Sequence, residues 1–161
     1  MKTPVYVAGS SVAEHLPRVR AFANRLKETG RVSITFAWWD AVADSRPGCD
    51  RGMSAQKRIE NAGTALIAAD KAAIVVALWS LWPSEGTCFE LGSVLGVDGV
   101  TTVVAGPDTR RCIFASLCDV VKDAADHPGE EIDDVAFDAV MDIVDATQPK
   151  PIAGSEVGER P

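Results

Sequence analysis

Several things are scarce in this chain, and each scarcity excludes something. Histidine is limited to His15 and His127. Neither has a second ligand at metal spacing, so helix-face or surface roles are expected and no metal is called for. The four cysteines, Cys49, Cys88, Cys112 and Cys118, contain no C-x-x-C pair. That argues against a zinc site or a disulfide frame and for reduced, packing thiols. No apolar run reaches membrane length, and Met1-Lys2-Thr3-Pro4 leads straight into a predicted strand instead of a signal-peptide apolar region. A cytoplasmic protein with no membrane partner is therefore expected. Positive charge is short as well: 16 Lys and Arg against 23 Asp and Glu give a net charge of -7. A phosphate backbone attracts a basic face, so a nucleic-acid polymer is not an expected partner, although local Arg and Lys can still meet a small phosphate.

What is present fits one domain with a real core: 161 residues, 47% hydrophobic and 24% charged. Val5 to Ala8 reads as a buried strand closed by Gly9-Ser10. Ser11 and Glu14 have capping-box spacing ahead of a helix with apolar residues at Leu16, Val19, Phe22, Ala23 and Leu26, stopping at Gly30. Val32 to Phe36 is a second strand, ending in Ala37-Trp38-Trp39-Asp40. Residues 41–53 read as a loop or lid. Ser54 caps a helix running to Asp70, and Ala72 to Leu78 is a continuous β-branched run, as a strand buried on both faces should be. Val100 to Ala105 is a fourth strand. Residues 113–121 are ambiguous, read as a short helix with a possible small strand, and Ile132 to Val144 marks a last amphipathic helix. The domain is thus 1–147, and 148–161, rich in proline and glycine, is expected to be a disordered tail. Alternating strands and helices imply parallel pairing: an α/β, doubly wound, flavodoxin-like sheet of four to five strands with helices on both faces and the first strand central.

In such a sheet ligands bind at the carboxyl edge of the strands. Glu90, in Ser84-Glu85-Gly86-Thr87-Cys88-Phe89-Glu90-Leu91-Gly92, falls there, in the first turns of a helix that follows the third strand. The positive end of the helix dipole is expected to favour its ionised form, and an ionised carboxylate can be a nucleophile. The same edge collects Tyr6, Gly9 and Ser10, then Trp38, Trp39 and Asp40, then Ser84. Tryptophan offers a stacking face for a base, and on a strand at most one of two successive residues points at the ligand.

Val5-Tyr6-Val7-Ala8-Gly9-Ser10, Ala69-Asp70 and Gly86-Thr87-Cys88-Phe89-Glu90-Leu91-Gly92, in this order and spacing, resemble the nucleoside 2-deoxyribosyltransferase superfamily, which includes nucleoside 5′-monophosphate N-glycosidases. The resemblance covers roughly residues 4–106. It implies that Glu90 attacks the anomeric carbon and that Tyr6 orients it. It implies that Ser84, where transferases tend to have Asp, bonds a 5′-phosphate together with Ser10, beside Gly9 and Gly86. Neutral hydroxyls suit a dianion that a carboxylate would repel. It also implies a pocket completed by a neighbouring subunit, hence a homodimer or larger homo-oligomer, and no cofactor.

Two positions depart from the pattern. Ala62 stands where the family has an Asp that helps with base or sugar; Asp40, Asn61 or Glu60 are the substitutes considered, with Asp40 the one assigned to the base. Val12 stands where the hydrolases have an Arg, for which Arg18 or Arg51 are alternatives. The expectation is an N-glycosidase on a nucleoside 5′-monophosphate. The alternatives are a deoxyribosyltransferase exchanging bases, a glycohydrolase on a larger nucleotide such as NAD, and a non-catalytic nucleotide sensor.

Overall fold

The computed structural model describes residues 1–12, 14–43, 53–80 and 85–147. Five strands, β1 (Thr3–Gly9), β2 (Val32–Ile34), β3 (Ile74–Leu78), β4 (Thr101–Gly106) and β5 (Val120–Asp123), form one sheet in the order β2-β1-β3-β4-β5, every pair parallel. The helices are α1 (Leu16–Glu28), α2 (Trp38–Ala43), α3 (Ala55–Asp70), α4 (Glu85–Val94), α5 (Ile113–Ser116) and α6 (Ile132–Thr147). This is the doubly wound α/β fold with flavodoxin-like strand order. Among the described residues no helix is long and apolar enough to cross a membrane.

Burial explains why the middle strands form. Val5 to Ala8, all of β3, and Val103 to Ala105 are buried, which parallel pairing covered on both faces requires. Each fully buried Val, Leu or Ile contributes roughly 1.5–3 kcal/mol from the area removed from water. On one side α1 and α6 pack together against the sheet; on the other, α3 packs on α4 and both meet β1. The amphipathic stripe of α1 turns inward through Val19, Phe22, Ala23 and Leu26, as its spacing predicts. Arg18 clasps the first layer: its guanidinium donates to Asp133 of α6 (2.5–2.9 Å) and to the Trp79 carbonyl oxygen (3.1 Å). Arg18 is therefore committed to α6 and is no substitute for a phosphate-binding arginine.

Several expectations are corrected. The middle of the sheet is β3, and β1 stands beside it. Helix α1 is preceded by His15 with no side-chain cap, so Ser11 and Glu14 form no capping box; Pro17, whose missing N–H costs nothing in a first turn, helps start the helix. β2 ends at Ile34, and Trp38-Trp39-Asp40 opens α2 instead of closing a strand, so the expected loop begins later than residue 41. Residues 113–121 are, as expected, a short helix, α5, and then the start of a small strand, β5. The rest of the 41–53 segment from 44 to 52, and the tail 148–161, lie outside the described residues.

Two glycines are needed where elements approach closely. A Cβ on Gly9 would meet Val19 Cγ2 at 2.7 Å, so Gly9 lets α1 lie on the end of β1. On Gly106 it would stand 2.5 Å from the Trp79 carbonyl oxygen, so β4 ends against backbone leaving β3.

Candidate active site

The strand order reverses between β1 and β3, because the chain leaves β1 toward β2 and returns on the other side as β3. A crevice opens outside the carboxyl ends of the strands at such a point. Tyr6 enters from β1, register-paired with Val75 of β3, and its side chain reaches the helix layer on the α4 side. Glu90, the sixth residue of α4, meets it there: the Tyr6 hydroxyl donates to Glu90 Oε1 at 2.8 Å. Residues 84 positions apart in sequence thus make one charge-assisted contact.

The electrostatics follow from burial. Glu90 is pushed up to about 7, chiefly because burial penalises the carboxylate; the Tyr6 hydrogen bond opposes this. The expectation that the helix dipole would favour the ionised form is thereby corrected. Glu90 lies in the second turn, where the dipole's influence fades, and loss of solvent wins. Tyr6 is pushed far above the ordinary phenol range, first by burial, then by the Glu90 charge and their hydrogen bond. It therefore stays protonated and acts only as a donor to the carboxylate.

Beside Glu90 is a cavity of about 140 Å³. Ser11, Trp38 and Met53 line one part, and Arg58, Asn61, Ala62 and Ala65 of α3 line another. Drug-sized ligands occupy roughly 300–1,000 Å³, so this space suits one ring, not a whole nucleotide. The helical period puts Arg58, Ala62 and Ala65 on one face of α3. The Asn61 amide nitrogen donates weakly to Met53 Sδ at 3.4 Å. A larger open groove, about 520 Å³, runs along a different face of α4 between Phe89 and Phe114. Its lining is largely apolar and excludes Glu90 and Tyr6, so the smaller cavity is the candidate site.

The predicted residues divide. Tyr6, Glu90 and Trp38 come together; the Trp38 indole N–H is also anchored on the Val7 carbonyl oxygen at 2.8 Å, leaving its ring to line the cavity. Trp39 is buried in the core, meeting Trp38 edge-on at 5.8 Å, and does not line the cavity. Asp40 is exposed and paired with Arg20 at 3.0 Å, away from Glu90's cavity. Glu60 is exposed and accepts from Gln56. Asn61 alone of the considered substitutes lines the cavity. Ser10 is buried, its Oγ accepting from the Val12 backbone N–H at 3.3 Å, a turn contact; its neighbour Ser11 faces the cavity. Gly86 is exposed one turn before Glu90. Ser84 and Arg51 lie outside the described residues. Sequence reasoning missed Arg58, Met53 and Ser11. Arg58 was within reach of it, since it precedes Ala62 by four residues on a predicted helix. Compared with family models and with curated proteins, the chain matches none.

Proposed function

We propose that this protein is an N-glycosidase that releases the base of a nucleoside 5′-monophosphate, with Glu90 as nucleophile. The observation that carries the reading is the Tyr6–Glu90 pair beside a ring-sized cavity at the strand-order reversal. A half-sequestered carboxylate titrating near neutrality is nucleophilic once ionised, and a donor fixed on one oxygen leaves the other to attack. In the first step Glu90 oxygen bonds to C1′ while the C1′–N bond breaks and its electron pair departs with the base. In the second, water displaces the ester oxygen and the configuration at C1′ is retained. The edge of Trp38 borders the base, and the sugar-phosphate lies toward Ser10, Gly9, Gly86 and Ser84 by the resemblance. The same reading carries a cytoplasmic protein that self-associates.

The test is incubation of the full chain with a panel of nucleosides and their 5′-monophosphates, with free base as the readout. Base release that Glu90→Gln lowers by orders of magnitude, with monophosphate affinity kept, is the expected outcome. Undiminished release by Glu90→Gln removes the nucleophile assignment. Base exchange on adding a second free base would place the protein with the transferases instead.

A further inference from the structure

Arginine among the described residues is almost always engaged. Among the described residues, Arg18, Arg20, Arg25, Arg31, Arg110 and Arg111 each pair with an aspartate. Arg58 alone of the described arginines pairs with no described residue, and it lines the cavity that holds Glu90. Its neighbours there on α3 are the Asn61 amide and the methyl of Ala62. Among the described lining residues Glu90 is the sole acid, and it is committed to Tyr6. The described lining residues thus offer a departing group a cation and an amide, and among them there is no second carboxyl to protonate it.

This arrangement selects for a particular leaving group. A guanidinium has five donors, no acceptor, and a pKa too high to release a proton. It can hold negative charge on an acceptor edge but cannot serve an amino edge. Its fork matches a carbonyl oxygen beside a ring nitrogen, the geometry by which Arg reads guanine O6 and N7 in DNA. We infer that Arg58 binds the base, and that the preferred substrate carries a 6-oxopurine in place of adenine. The inference rests on the glycosidase reading and names its substrate class. As the C1′–N bond breaks, the electron pair spreads from the ring nitrogen toward the base carbonyl, where Arg58 N–H groups stabilise it. The base then takes its proton from solvent water, and Arg58 keeps its own.

The experiment measures kcat/KM for inosine and adenosine 5′-monophosphates with wild type, Arg58→Met and Arg58→Lys, and binding of both nucleotides by thermal shift. Wild type is expected to favour inosine monophosphate by roughly 5- to 150-fold, the discrimination of one bidentate contact. Arg58→Met should flatten that ratio, and Arg58→Lys, a point charge without the fork, should fall between. Arg58 is exposed, so both variants are expected to fold, which their melting temperatures check. A wild type that handles the adenine nucleotide as well as the hypoxanthine one overturns the inference, as does Arg58→Met slowing both substrates in equal proportion. If no base is released from any nucleotide, the glycosidase reading fails by itself. The binding preference and its loss in Arg58→Met then still decide the base assignment.

Discussion

Glu90 is held in an environment that resists the charge its proposed chemistry needs. Burial moves the carboxyl to about 7, and only the Tyr6 hydroxyl, at 2.8 Å, pulls it back. The acid limb of kcat/KM should therefore have its midpoint near 7, with activity rising as pH passes through it. Tyr6→Phe removes the one interaction lowering that value, so the limb is expected to move to higher pH, by about one unit for a hydrogen bond to a charged group. A pH profile of Tyr6→Phe with an unmoved limb would return Tyr6 to a packing role. Both residues were legible in sequence, because each occurs in a motif whose neighbours fix its place. Arg58 stands in no motif; its four-residue spacing to Ala62 was the one signal for it, and its lack of an acidic partner among the described residues is a property of the folded surface.

At the scale of elements, legibility followed burial. β1, β3 and β4 are continuous apolar runs and were readable as such; α1 and α6 show a helical stripe. α2 was not readable. In six residues it holds two tryptophans, which strand propensity favours, and its helical form is fixed by contacts distant in sequence, such as the Trp38 indole on Val7. The helical cap at Ser11 failed for a related reason: the chain makes a turn at Val12 to His15 before the helix begins at Leu16. The close approach of β4 to the exit of β3 gives a test at this scale. Gly106→Ala places a methyl 2.5 Å from the Trp79 carbonyl oxygen, which also receives Arg18, so backbone must shift. A loss of about 1–3 kcal/mol in urea unfolding is expected, the usual cost of overpacking. Unchanged stability would mean that the two strand ends separate easily.

For the whole molecule, Glu90 makes stability depend on pH. The folded protein holds this proton up to about 7, while an unfolded carboxyl releases it near 4.5. The native state therefore binds more protons between these values, and Glu90's contribution is full below 4.5 and lost as pH rises through 7. Glu90→Gln keeps the Tyr6 contact without the charge. It is expected to be more stable than wild type at pH 8, by about 1–3 kcal/mol, with the difference vanishing at pH 4. Chemical denaturation at the two pH values measures it; an equal difference at both would remove the linkage to Glu90. The Tyr6–Glu90 bond also orders events during synthesis. The hydroxyl leaves the ribosome long before its carboxylate, which stands 84 positions later. Until β3 arrives, β1 lacks its neighbour on one edge, and until α4 docks, the tyrosine lacks its acceptor. A nascent chain released before α4 is complete would carry the tyrosine without its acceptor, so the pair cannot be assembled while the protein is still half built.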